Sequence, residues 1–112
     1  MINASKSHIV LIPSYNPGAK VFDTVRSARQ YWNPVWVVID GSTDGSEVTL
    51  KNMALEDAGL RVIHLPLNKG KGAAVLHGLN IAAAEGYTHT LTMDSDGQHP
   101  PDLIPAFMEA SI

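Results

Sequence analysis

Apolar residues in this chain bunch into four short runs separated by stretches of helical length. The runs at 8–12, 35–39, 60–65 and 88–93 are rich in Val, Ile, Leu and Thr, and short runs of that kind bounded by polar turns predict buried β-strands. Between them the spacing becomes helical. Residues 19–31 put Val21, Val25 and Ala28 on one face, and 46–58 do the same with Val48, Leu50, Met53, Ala54 and Leu55. A third crossover, 72–85, carries Val75, Leu76, Leu79, Ile81, Ala82 and Ala83 on a broad apolar face, with Gly86 as C-cap, and a last helix starts near Pro101. The alternation predicts a Rossmann-like α/β fold: a mostly parallel sheet with right-handed crossovers and helices on both faces.

The polar clusters are not scattered. Each follows a strand: Pro13 to Gly18, Asp40 to Gly45, Asn68 to Gly72 and Asp94 to His99. In open α/β sheets that is the end where ligands bind. The last cluster is the most informative, because Asp94 and Asp96 are two apart on extended backbone and point the same way. Two carboxylates that close raise each other's pKa unless a cation lies between them. Oxygen ligands select a hard ion, magnesium or manganese, and magnesium usually completes its shell with substrate phosphates. An Asx turn leaving a strand explains the motif equally well on its own. The other clusters favour the ligand reading, since they add a tyrosine ring for stacking, a carboxylate to accept from base or ribose, and lysines with bare amides for phosphates. Together they describe a nucleoside diphosphate site.

Composition narrows the field. The 112 residues are 45% hydrophobic, enough for one compact domain or a piece of one. With 8 Lys and Arg against 11 Asp and Glu there is no basic field to hold nucleic acid. The absence of cysteine rules out disulfides, cysteine-bound zinc and a thiol nucleophile. No apolar stretch reaches a membrane span and residues 1–7 do not read as a signal peptide, so a cytosolic or cytosol-facing protein is expected.

The motifs Ile12-Pro13-Ser14-Tyr15-Asn16, Val37 to Gly45, Asn68-Lys69-Gly70-Lys71-Gly72-Ala73-Ala74 and Met93 to Pro100 are recognisable in that order. The chain resembles family-2 inverting glycosyltransferases of the GT-A fold, especially the dolichyl-phosphate mannosyltransferase-like and polyprenyl-phosphate sugar transferases. The resemblance covers nearly the whole chain. It implies a nucleoside-diphosphate sugar donor of the UDP or GDP type and a polyprenyl phosphate among the acceptors. Pro13 and Tyr15, with Asn16 beside them, would line the base pocket, and Asp40 would contact base or ribose. Lys69, Gly70, Lys71 and Gly72 would lie along the nucleotide. Asp94 would hold the ribose side, and Asp96 with Gln98 the metal. Where the family often has two acidic residues this chain has Ile39-Asp40, so only Asp40 carries over. The family's acidic catalytic base comes well after the D-x-D motif, and Asp102 and Glu109 instead read as decoration of a surface helix. Residues 1–112 are therefore expected to be a single donor-binding part.

Rival readings fare worse. The first loop lacks the G-x-G-x-x-G of a nicotinamide site, and Gly70-Lys71-Gly72-Ala73 lacks the hydroxyl of a phosphate-loop NTPase. A phosphatase of the D-x-D-G type would carry that motif after the first strand, and a sugar-phosphate nucleotidyltransferase a Gly-rich first loop with a basic residue. A non-catalytic nucleotide-binding module is the alternative from another class. Asp44 reads as the N-cap of the second helix. His8, His64, His77 and His89 have no metal-ligand spacing. Met53, Met93 and Met108 read as core fillers, and Trp32 with Trp36 as a pair over the end of the first helix. The fourth strand, with Leu91, Met93 and the apolar side of 103–108, is expected to be an exposed edge through which the chain forms a homodimer.

Overall fold

The computed structural model describes residues 4–16, 18–94 and 101–110. Among these, four strands, β1 (His8–Ser14), β2 (Val35–Asp40), β3 (Leu60–Leu65) and β4 (His89–Thr92), form one parallel sheet in the order β3-β2-β1-β4. Helices α1 (Lys20–Tyr31), α2 (Ser46–Glu56) and α3 (Lys71–Ala84) make the crossovers, and a 3-10 turn at Pro101–Leu103 leads into α4 (Ile104–Ala110). The Rossmann-like expectation holds, helices on both faces included.

The sheet separates two cores by strand alternation. Val10, Ile12, Val35, Val37 and Ile39 face α1, α2 and α4, meeting Val21, Val25, Ala28, Leu50, Ile104 and Met108. Ile9, Leu11, Trp36 and Val38 face α3, meeting Ala74 and Ala82. Both central strands are buried throughout, and the edge strands β3 and β4 only in part. Helix α3 lies close to the sheet because Gly78 faces it; a Cβ there would come within 2.9 Å of Leu11 Cδ1. The helix closes in a Schellman arrangement, with Gly86 at φ 96° and the Tyr87 amide donating to Ala82 O at 3.0 Å.

Three expectations need correction. Trp32 and Trp36 do not pair: Trp32 packs on the α1 side and donates its indole N–H to His8 O at 3.1 Å, whereas Trp36 lies on the α3 side against Tyr87 and Arg61. The pleat of β2 sets the face of Trp36, whereas Trp32 precedes that strand as the C-cap residue of α1. On α2 the buried contact is made by Leu50 with Met53 and Ala54, while Val48 and Leu55 are exposed. That helix also ends earlier than expected, because Asp57 turns extended and takes an ion pair with Arg29. Finally, β4 is indeed an edge, but Met93 and Met108 are buried with Ile104, leaving Leu103 and Phe107 as the exposed apolar side chains there.

Candidate functional site

Strand order reverses between β1 and β4: from β1 the chain first builds outward through β2 and β3, then returns to the other side. A crevice is expected outside the carboxyl ends at such a point. A cleft of about 510 Å³ opens there, lined by Pro13, Ser14, Tyr15, Asp40, Asn68, Gly70, Lys71, Ala74 and Asp94. Six residues singled out from the sequence thus meet in one place: Pro13, Tyr15, Asp40, Gly70, Lys71 and Asp94. Asn16, Lys69 and Gly72 do not line the cleft, and Lys69 instead borders a neighbouring groove with Leu67, Leu76 and His77. Asp96 and Gln98 lie outside the described residues. Ser14, Asn68 and Ala74 were not singled out as site residues from the sequence, although all three sit inside the motifs; Ala74 reaches the cleft from the first turn of α3.

The wall of the cleft is held by backbone. Asp40 is only 2% exposed, and each carboxylate oxygen accepts an amide at 2.9 Å, one from Lys69 and one from Gly70. A buried carboxylate requires such partners. Gly41 makes the approach possible: its φ is 65°, its amide donates to Leu65 O, and a Cβ would stand 2.3 Å from the Asn68 nitrogen. The loops after β2 and β3 are therefore one structure.

The loops after β1 and β2 are tied as closely. Asn16 takes the left-handed conformation at φ 41°, which asparagine tolerates. Its Oδ1 accepts the amides of Thr43 at 2.6 Å and Asp44 at 3.1 Å, its Nδ2 donates to Thr43 Oγ1, and its own amide donates to Ser42 Oγ at 2.9 Å. Asp44 answers with a carboxylate that accepts Gly18 N–H and Ser46 N–H, both at 3.0 Å. Slight burial pushes this carboxyl up, but the hydrogen bonds from Ser46 and Gly18 outweigh it and the group titrates below its ordinary value. Gly45 occupies the N-cap position itself, so Asp44 caps from one residue before, through the Ser46 amide.

Open chemistry remains at the cleft. Tyr15 is 52% exposed, a ring available for stacking. The first turn of α3 presents the positive end of a helix beside Gly70 and Lys71. Lys71 Nζ donates to Asp94 Oδ1, so this carboxylate already seats a positive charge. A hard oxygen donor in that place is the type magnesium or manganese takes, and one carboxylate with substrate phosphates is a usual magnesium set. Among the described residues no three His, Asp or Glu side chains group as a ready-made metal cage. Asp102 and Glu109 are exposed on the C-terminal helical segment, as a surface role predicts.

The comparisons with known proteins converge on one family. The chain is 32% identical to the undecaprenyl-phosphate mannosyltransferase of Micrococcus luteus over 91% of its own length and 43% of the relative's. It is 29% identical to the polyprenol monophosphomannose synthase of Mycolicibacterium smegmatis, covering 97% of itself and 42% of that protein. With the dolichol-phosphate mannosyltransferase of Pyrococcus furiosus it shares 30% identity over 90% of itself and 29% of that enzyme. The chain spans less than half the length of these curated relatives. The family model for glycosyl transferase family 2 matches residues 9–111, almost the whole chain. On that match, with described residues of each motif meeting at a single strand-end cleft, the chain belongs to glycosyl transferase family 2.

Proposed function

We propose that the cleft takes a nucleoside-diphosphate sugar of the UDP or GDP type, and that the protein carrying this chain transfers the sugar with inversion to a polyprenyl phosphate. The observation that carries this reading is the convergence of Pro13, Tyr15, Asp40, Gly70, Lys71 and Asp94 on one cleft at the point where strand order reverses. The relatives named for undecaprenyl, polyprenol and dolichol phosphates support the acceptor class. Such an acceptor would put the reaction at the cytosolic surface of a membrane; among the described residues no helix is long and apolar enough to cross one.

Each residue has a physical task in this reading. Pro13 and Tyr15 form the apolar wall for the base. Asp40, with one amide on each oxygen, keeps lone pairs to accept from base or ribose. The Gly70 region and the start of α3 face the diphosphate, and Lys71 adds charge that can leave Asp94 for a phosphate oxygen. Magnesium or manganese, held by Asp96 and Gln98 beside Asp94, would stabilise charge on the departing diphosphate. With a polyprenyl phosphate as acceptor the nucleophile is a phosphate oxygen, already anionic near neutral pH, so inverting transfer needs that oxygen held in line behind the sugar carbon, opposite the departing diphosphate. No residue of this chain is assigned to hold that acceptor, so the chain alone is expected to bind donor without transferring sugar.

Titration calorimetry with UDP and with GDP, each with and without magnesium or manganese, tests the reading. Binding of one of them, tightened by metal, is expected; failure of both to bind overturns the site. The Asp96→Asn variant should lose most of the metal dependence, and binding indifferent to metal from the outset would remove the role given to Asp96. Glycosyl transfer by the purified chain would overturn that expectation.

A further inference from the structure

We infer that Asn16 and Asp44 are a positioning pair: they tie the loop after β1 to the loop after β2 and so hold Tyr15 against the cleft without touching the ligand. Asn16 is adjacent to Tyr15 and belongs to a motif that points at the base pocket, yet it is absent from the cleft lining. Its hydrogen-bonding capacity explains why. An asparagine carbonyl has two lone pairs, and both already accept backbone amides, those of Thr43 and Asp44. The backbone amide goes to Ser42 and one side-chain N–H to Thr43. Of the side chain, one N–H is all that remains.

The arrangement is reciprocal. Loop 1 gives a side chain to the amides of residues 43 and 44, and loop 2 gives the Asp44 carboxylate to the amide of Gly18 and the Ser42 hydroxyl to the amide of Asn16. Tyr15 lies between the end of β1 and this cross-bracing, and its ring is half exposed, with no aromatic stacking or cation–π contact among the described residues. Its place at the wall therefore depends on the backbone that carries it. The braces fix that backbone before any ligand arrives, which is the condition under which a stacking surface contributes its full affinity.

The inference rests on the proposed nucleotide reading, and its test has an arm that does not. In the ligand-free chain, NMR relaxation of labelled tyrosine should show the Tyr15 ring and amide more mobile in Asn16→Gly than in wild type. Glycine keeps the left-handed backbone and removes the brace, and because it also loosens the chain, Asp44→Ala, which leaves residue 16 intact, has to show the same mobility. Asn16→Asp retains both accepted amides and should restore wild-type order. Asp44→Ala cuts the other half and should reproduce the loosening, and it carries the test if Asn16→Gly fails to fold. With UDP or GDP as probe, Asn16→Gly should weaken binding about tenfold, part of the worth of one base–aromatic stack, while Asn16→Asp stays close to wild type. In a Tyr15→Ala background Asn16→Gly should have no further effect. An additive loss there would mean that Asn16 meets the ligand directly, and Tyr15 order unchanged in both Asn16→Gly and Asp44→Ala would overturn the inference. If neither nucleotide binds wild type, the proposed function falls, and the relaxation arm still decides the positioning pair.

Discussion

The two ends of the sheet use the same bonds for different purposes. At the amino ends of the strands, Arg29 grips Asp57 through two bonds of 2.7 and 2.8 Å and donates a third to Trp32 O, while Asp57 also accepts the Gly59 amide. His8 stacks on His89 with ring centres 4.3 Å apart. These groups are turned on other parts of the scaffold. At the carboxyl ends Asp40, Asn16 and Asp44 are engaged in the same way, but their effect is to leave Tyr15, Lys71 and Asp94 presented together to solvent. The half-buried ion pair at one end closes a structure; at the other, buried Asp40 and the Asn16 and Asp44 braces hold a cleft open.

Breaking that contrast at its strongest point gives the largest effect. Asp40→Ala strands two amides that now share one buried carboxylate, with an expected loss of about 3 kcal/mol and no measurable nucleotide binding, read by chemical denaturation and calorimetry. Retained binding would place the nucleotide elsewhere.

At the opposite end, Arg29→Ala should cost about 2 kcal/mol, since it removes charge-assisted bonds that are only partly screened, yet leave nucleotide affinity within about twofold, the margin expected of a change that touches no part of the cleft. A fall in affinity matching the fall in stability would show that the two ends are coupled. The same pair sets a pH dependence. The Arg29 hydrogen bond holds the Asp57 carboxyl below its ordinary value. Its contribution is therefore complete above the unfolded pKa of about 3.9 and is lost as pH falls through the lower folded value. Acid denaturation curves should show that loss in wild type and a smaller one in Arg29→Ala.

Smaller effects sharpen the comparison from the cleft side. Lys71→Gln removes an exposed ion pair, so stability should stay within about 0.5 kcal/mol, while affinity for the nucleoside diphosphate falls severalfold and affinity for the bare nucleoside does not. Equal losses for both would take Lys71 off the phosphates. The weakest expected effect is self-association through the β4 edge with Leu103 and Phe107, visible as a concentration-dependent sedimentation coefficient. A strictly monomeric species at all concentrations would remove that expectation.

The order of elements, the parallel sheet and the strand-end position of the site were legible in the residues, because periodicity and turn chemistry are local and this chain carries both without conflict. So were Pro13, Tyr15, Gly70, Lys71 and Asp94, each at the mouth of a motif. What the tertiary structure alone decided is who bonds to whom across the loops. The partners of Asn16 are 26 to 28 residues away and those of Asp40 are 29 and 30 away, and no local pattern says that a polar side chain will meet backbone amides and not a ligand. Likewise Trp32 and Trp36, four positions apart, went to opposite sides of the sheet: Trp32 stays with α1 as its C-cap residue, while Trp36 takes its face from the pleat and register of β2 once the sheet has formed.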